Sequence, residues 1–112
     1  MVAAILRQVV GMEDEAGAGN PMVPLFRAQI VRALAEGRWR FADHFCDKLL
    51  AEEPGNLEAL LLKGHLAWCH FHDTGAALNY FRKVITLGGF ESSNEYVARA
   101  RSSLARLLEQ LS

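Results

Sequence analysis

His65, Cys69 and His72 follow one another at i, i+4 and i+7, so on a continuous helix their side chains share one side. Imidazole and thiolate ligands at this spacing can hold zinc or copper. A fourth ligand is not evident, although Asp73 or His44 could approach the three. The competing interpretation is that His65 fills a close-packed position and Cys69 belongs to the core. We favour packing over chelation and predict no metal site and no cofactor.

A cysteine nucleophile would need a histidine base positioned beside it. His44 lies two residues from Cys46, which on a helix points the two side chains in roughly opposite directions, whereas His65 could reach Cys69. Neither cysteine is accompanied by a glycine-rich elbow, an oxyanion feature or a phosphate-binding loop, because the glycines fall in linkers and at helix ends. We therefore predict no catalytic residue and a protein that is not an enzyme.

The charge balance argues against two classes of partner. The chain of 112 residues suits one domain, and it carries 12 Lys and Arg against 13 Asp and Glu, a net charge of -1. This balance gives no electrostatic reason to expect nucleic acid or an anionic membrane as a partner. A local basic zone is followed closely by acidic residues: Arg27, Arg32, Arg38 and Arg40, then Asp43, Asp47, Glu52 and Glu53.

Cysteine usage and the lack of a targeting pattern predict a cytoplasmic protein. Cys46 and Cys69 are the two cysteines and form no Cys-x-x-Cys pair, which favours a reducing compartment. The apolar stretch 2–6 is too short for a signal peptide and is followed by Arg7. No apolar run reaches the roughly 18 residues that a membrane-spanning helix requires.

Apolar residues recur at helical spacing along the chain and no strand pattern competes, so the predicted fold class is all-α. Residues 2–12 form an amphipathic stripe, and the run 13–21 has the composition of a flexible linker. Because about 11 residues make a marginal helix, we expect this segment to dock on its own chain or on a neighbour's. Further helices are predicted from about Pro24 to Gly37, from 38 to 53, from 57 to about 72, from Asp73 or Thr74 to Gly88-Gly89, and from a Ser92–Glu95 capping box to about 111.

The helix predicted at 57–72 follows an N-cap at Asn56 and has apolar residues on nearly every side. A helix with so little polar surface is buried between neighbours, so we expect it to be the central helix. Its apolar perimeter exceeds what one neighbouring helix on each side can cover. The remainder should be covered by the segment 2–12, by a second copy of the chain, or by a target.

Large and small residues recur in this chain with a period of about 35. Adding 35 to Phe26 gives Leu61 and then Tyr96, and Ala42 likewise maps to Ala77. The pattern also includes Gly37, Trp39 and Pro54 in the first unit and Gly64, Trp68 and Phe81 in the second. With these residues the chain resembles the tetratricopeptide repeat family.

The resemblance implies two helix–turn–helix repeats, 22–55 and 56–89, sealed at the end of the stack by a capping helix at 91–111. Together they make a helical domain over 22–112, and the amphipathic segment and linker occupy 1–21. The expected architecture is a short solenoid of antiparallel helical hairpins.

Members of this family bind a peptide or helix in a concave groove that the first helix of each repeat lines. At the corresponding positions the first repeat has Arg27, Val31 and Leu34. The second repeat allows two registers, either Leu62, Leu66 and Cys69 or Leu61, His65 and Trp68. Some members clamp a C-terminal carboxylate with basic residues, and here only Arg27 resembles a clamp residue. An apolar ligand surface is therefore expected.

The function that the resemblance implies is a non-catalytic adaptor or chaperone-like module with a protein or peptide partner. On this interpretation Leu62→Asp or Leu66→Asp should abolish partner capture, whereas Asp47 on the outer surface should tolerate change. The alternative is a self-assembling structural protein, a homo-oligomer in which the segment 2–12 docks on its own or a neighbouring chain. Size-exclusion chromatography with and without that segment would separate the two.

Overall fold

The computed structural model describes residues 20–112, and within them the chain is all-α, as predicted. The segment predicted at 2–12 and the linker up to residue 19 lie outside the described residues. No helix in the described part is long and apolar enough to cross a membrane. The helices are α1 (Met22–Ala35), α2 (Trp39–Glu52), α3 (Leu57–Cys69), α4 (Thr74–Gly88) and α5 (Glu95–Leu111).

The helices pack in chain order as two pairs and a final helix. The closest packing is between α3 and α4 and between α1 and α2, and α5 packs mainly on α4. The short connections make the two helices of each pair antiparallel. Contacts of α3 with α2 and with α5 join the pairs, so α3 lies at the centre, as its apolar perimeter predicted. This packing is consistent with a helical repeat.

Three helix ends lie at the residues that local chemistry predicts, two through a side-chain cap and one through a glycine. Asn56 Oδ1 accepts a hydrogen bond from the Ala59 N–H at 2.9 Å and caps α3. Asp73 Oδ1 accepts from the Ala76 N–H at 3.0 Å and caps α4, which decides between the two caps expected there. Gly37 follows α1 with a φ of +70°, the left-handed conformation that glycine adopts without strain.

The predicted capping box between Ser92 and Glu95 is wrong. The helix α5 begins at Glu95, so this glutamate stands in the first helical position and is too early to bond back to the cap. Asn94 is the cap, and its Oδ1 accepts from the N–H groups of Tyr96 at 2.8 Å and Val97 at 3.4 Å. Ser92 acts one step earlier, where its hydroxyl accepts from the Asn94 N–H at 3.1 Å.

The helix α3 ends at Cys69, three residues earlier than predicted. His72 has a φ of +52°, which a helix cannot accommodate, and the Asp73 N–H turns back to the Ala67 carbonyl at 2.8 Å. His72 therefore does not continue the stripe of His65 and Cys69.

The largest core cluster joins α3, α4 and α5 around Phe81, which is fully buried. Its ring lies against Gly64 of α3, where an added Cβ would come within 2.6 Å of a Phe81 ring carbon. Gly64 thus permits the close approach of α3 and α4. A second cluster fills the space between α1, α2 and α3 and contains Ile30, Cys46, Leu49 and Ala59.

Lys63 is a buried cation that the sequence reading missed. Only 6% of its surface is exposed, and its Nζ donates to Asp43 Oδ1 at 2.9 Å and to Asp47 Oδ1 at 2.6 Å. Burial alone would lower the pKa of Lys63, but the hydrogen bonds and charges of Asp43 and Asp47 outweigh burial and raise it. Asp47 is exposed, as expected of an outer-surface residue, and its carboxylate also links α2 to α3.

Candidate functional site

The first, third and fifth helices enclose a groove on one side of the molecule. A cavity of about 210 Å³ lies between them, and a second of about 120 Å³ continues it toward the C-terminal end of α3. Leu34 and Leu62 line both cavities, so the two adjoin, and together they are called here the α1–α3–α5 groove. A larger volume of about 760 Å³ lies elsewhere, but its lining residues all belong to the outer face of α4.

Most of the residues expected in a concave groove line this one. From α1 it has Arg27, Val31 and Leu34, and from α3 it has Leu61, Leu62, His65, Leu66 and Cys69. Leu61 and Leu66 are only 4% and 3% exposed, so they form the floor and belong to the hydrophobic core. The residues of α3 that open to the groove are Glu58, Leu62, His65 and Cys69, at a continuous helical spacing that combines parts of both predicted registers.

Trp68 does not line the groove. Its indole packs edge-on against the Phe81 ring, with centroids 6.1 Å apart, and its Nε1 donates to Gln110 Oε1 at 3.1 Å. Trp68 therefore holds α5 against α3 and α4 rather than facing a ligand.

Three helices are tied together at one end of the groove by the carboxylate of Glu58. Arg27 of α1 donates to both of its oxygens, at 2.8 Å from Nε to Oε1 and at 2.9 Å from Nη2 to Oε2. The Tyr96 hydroxyl of α5 donates to Oε2 at 2.8 Å. The hydrogen bond to the Glu58 carboxylate and, to a smaller extent, burial raise the pKa of Tyr96 above its ordinary value of 10.0. The network fixes the spacing of α1, α3 and α5.

A cationic edge lies beside the apolar floor. Arg99 of α5 lines the groove and, among residues 20–112, forms no salt bridge. Burial and, to a smaller extent, the charge of Arg99 lower the pKa of His65 below its ordinary value of 6.5. The His65 Nε2 lies 3.4 Å from the Ser103 hydroxyl, which connects the groove to α5.

A stacked pair of rings closes the other end of the groove. The Trp39 indole, at the start of α2, lies parallel to the His70 imidazole with centroids 3.8 Å apart. Both residues line the smaller cavity. The groove therefore runs from the Arg27–Glu58–Tyr96 network to the Trp39–His70 stack.

The two thiols differ in their surroundings. Cys46 is fully buried, and burial raises its pKa to about 12, whereas Cys69 is exposed and lines the groove. Within the described residues neither thiol is hydrogen-bonded to a histidine, as a cysteine nucleophile would require. Residues 20–112 contain no group of three His, Cys, Asp or Glu side chains placed to hold a metal ion.

Sequence reasoning missed Glu58, Tyr96 and Arg99 as groove residues. The 35-residue period places Tyr96 at the position of Phe26 and Leu61, so α5 could have been included in the groove on that signal. The partners of Glu58 lie 31 and 38 residues away, and no local pattern indicates them. Comparisons of the chain with protein-family models, with curated proteins and with solved structures returned no match.

Proposed function

We propose that this chain is a non-catalytic protein-interaction module that holds an apolar peptide or helix in the α1–α3–α5 groove. Two tetratricopeptide-like hairpins, α1–α2 and α3–α4, form the scaffold, and α5 caps it. The observation that carries the proposal is that three non-consecutive helices are held around one apolar channel by the carboxylate of Glu58.

The surface chemistry of the groove supports an apolar ligand with some negative charge. Val31 stands at the edge with 61% of its surface exposed, and Leu34 and Leu62 continue the apolar lining. Glu58 is already occupied by Arg27 and Tyr96, which leaves Arg99 as the cation facing the channel. A peptide with an apolar stripe and a neighbouring carboxylate would match both features.

A matched pair of surface substitutions tests the proposal. Val31→Asp places a charge in the groove, whereas Leu87→Asp places one on the outer face of α4, and the native residues are 61% and 54% exposed. Affinity purification after cross-linking in the native cell should lose a partner with Val31→Asp or Leu62→Asp and keep it with Leu87→Asp. Leu66→Asp is unsuitable, because Leu66 is buried and its replacement would unfold the protein. Partners that are indifferent to both groove substitutions would contradict the proposal.

We also propose a reducing compartment, the cytoplasm, for this module. Cys46 and Cys69 are both free, and the buried Cys46 packs as a small apolar residue. Fluorescence microscopy of the tagged chain in its native cell is the test, and a signal confined to the secretory pathway would contradict it.

A further inference from the structure

An aromatic and cationic surface adjoins the α1–α3–α5 groove at the Trp39–His70 stack. A third cavity, of about 370 Å³, is lined by Trp39 and His70, and these two residues also line the smaller cavity of the groove. The rest of its lining is Arg38, Arg40, Phe41 and Phe71, and the cavity is called here the arginine shelf. Because His70 is exposed, a ligand in the groove can extend over the stack onto this shelf.

Aromatic rings position both guanidinium groups of the arginine shelf. The Arg38 Cζ lies 4.3 Å from the centroid of the Phe41 ring, and the Arg40 Cζ lies 5.6 Å from that of Phe71. A guanidinium over a ring still presents its N–H donors at its edge, and the ring does not neutralise its charge. The shelf therefore holds two oriented cations.

The positive charge at both ends of the groove is largely unpaired within residues 20–112. Arg40 forms no salt bridge there, and neither does Arg99 at the other end of the groove. Arg38 pairs with Glu36 at 3.7 Å, close to the limit for an ion pair. All three arginines are exposed, so an apolar groove lies between two cationic ends that a ligand can reach.

The separation of the two cationic ends fits one side of a bound helix. Arg99 lines the larger cavity together with Glu58, and the arginine shelf begins beyond Cys69 of the smaller cavity. From Glu58 to Cys69 the helix α3 rises about 16 Å, at 1.5 Å per residue. A ligand helix covers that distance in about eleven residues, which make three turns and about 20° more. Side chains about eleven positions apart therefore point to the same side of the ligand helix.

We propose that the segment bound in the α1–α3–α5 groove is an amphipathic helix with an acidic side chain at each end of its apolar stripe. One carboxylate lies beside Arg99 and the other on the arginine shelf, and the apolar residues between them pack on Leu34 and Leu62. The apolar stripe supplies the affinity, and the two charged ends fix the register of the helix in the groove. The inference rests on the proposed function, because it names the chemistry of the partner of that groove.

Synthetic fluorescent peptides test the proposal on the full chain by fluorescence anisotropy at low salt. The first peptide has two glutamates about eleven residues apart, leucines at the stripe positions between them, and alanine and glutamine elsewhere. A second peptide has glutamine in place of both glutamates, and a third has lysine. The glutamate peptide should bind about tenfold more tightly than the glutamine peptide, because it adds an ion pair at each end.

Charge reversals in the protein test each end of the groove separately. Arg99→Glu and Arg40→Glu should each weaken binding of the glutamate peptide at least about threefold. The variant with both changes should prefer the lysine peptide to the glutamate peptide. Arg82→Glu on the outer face of α4 is the matched control, because it makes the same change in net charge and should bind as the native chain does. All the replaced arginines are exposed, and circular dichroism checks that each variant keeps its helices.

Several results would overturn the proposal. Two of them are equal affinities for the glutamate and glutamine peptides and no binding of the glutamate peptide. A third is affinity for the glutamate peptide that either Arg99→Glu or Arg40→Glu leaves unchanged. Displacement of the glutamate peptide by a lower concentration of oligothymidylate would assign the cations to nucleic acid. A dimer that dissociates when the peptide is added would assign the groove to a second copy, and either result also overturns the proposal.

Failure of this proposal is distinguishable from failure of the proposed function. Equal affinities for the glutamate and glutamine peptides, with a cellular partner lost in Val31→Asp, contradict only the acidic ends of the ligand. Charge-dependent binding of the peptides, with every cellular partner retained in Val31→Asp and Leu62→Asp, contradicts only the assignment of the groove to cellular partners.

Discussion

At the scale of single residues, the contact between Gly64 and Phe81 sets how closely α3 and α4 approach. A methyl group at position 64 would lie 2.6 Å from one ring carbon and 2.8 Å from another. Because Phe81 is fully buried, its ring has no space into which to move. The two helices must then separate.

Gly64→Ala should therefore destabilise the protein although alanine is the better helix former. We expect a net loss of about 1 to 2 kcal/mol in the free energy of unfolding, because overpacking outweighs the gain in helix propensity. Urea denaturation measures it. Gly75→Ala is the matched control, since an added Cβ there meets its nearest neighbour at 3.8 Å. A Gly64→Ala variant as stable as Gly75→Ala would show that the two helices are not in close contact.

His65 should make stability depend on pH near neutrality. Burial and Arg99 lower its folded-state pKa below 6.5, so the unfolded chain binds a proton at higher pH than the folded chain. The stabilising contribution is complete above 6.5 and is lost as the pH falls from 6.5 through the folded-state pKa. Melting temperatures of the native protein and His65→Gln should change with pH at the same slope above 6.5, whereas between 6.5 and the folded-state pKa the native protein should lose stability faster as the pH falls. The exposed His44→Gln serves as the control, and parallel curves for all three proteins would contradict the assignment.

At the scale of secondary-structure elements, α5 closes the stack and depends on its N-terminal cap. The Asn94 side-chain oxygen Oδ1 accepts from two N–H groups of the first turn, while Glu95 is already helical. Loss of this cap would leave those donors to water alone.

Asn94→Ala should lower the free energy of unfolding by about 1 kcal/mol, the usual contribution of an N-cap. Glu95→Ala should change it by less, because this side chain does not complete a capping box. Thermal unfolding followed by circular dichroism distinguishes the two. A greater loss from Glu95→Ala than from Asn94→Ala would restore the capping box predicted from the sequence.

Local chemistry made two helix ends predictable, those at Asn56 and Gly37, whereas the rotation of a helix about its axis was not predictable. Asn56 and Gly37 act on backbone groups within a few residues, so their roles could be read from the chain. Since α3 is apolar on nearly every side, periodicity alone could not separate the buried Leu61 and Leu66 from the more exposed Leu62. Its rotation depends on the close approach of Phe81 from another helix.

The burial of the Lys63 side chain could not be predicted from its neighbours in the sequence either. Lys63 is only 6% exposed, and its ammonium group pairs with Asp43 and Asp47 of α2. Such pairing depends on residues 16 and 20 positions away, which no helical period connects. The Glu58 network across α1, α3 and α5 was missed for the same reason.

At the scale of the whole molecule, two pairs of helices and a capping helix present one open channel. The elements that form it come from three separate parts of the sequence and are joined by Glu58, Trp68 and His65. The Lys63 ion pairs and the outer face of α4 line neither cavity of this channel. We therefore propose that a partner binds in the channel and not on the outer face of α4.

Site-specific photo-cross-linking in the native cell tests this assignment most directly. A photoreactive amino acid would replace Val31 in the groove, or the comparably exposed Leu87 on the outer face of α4, in the full chain. We predict a cross-linked partner protein with the probe at position 31 and none with the probe at position 87. A partner captured from position 87 alone would contradict the assignment of the α1–α3–α5 groove as the binding site.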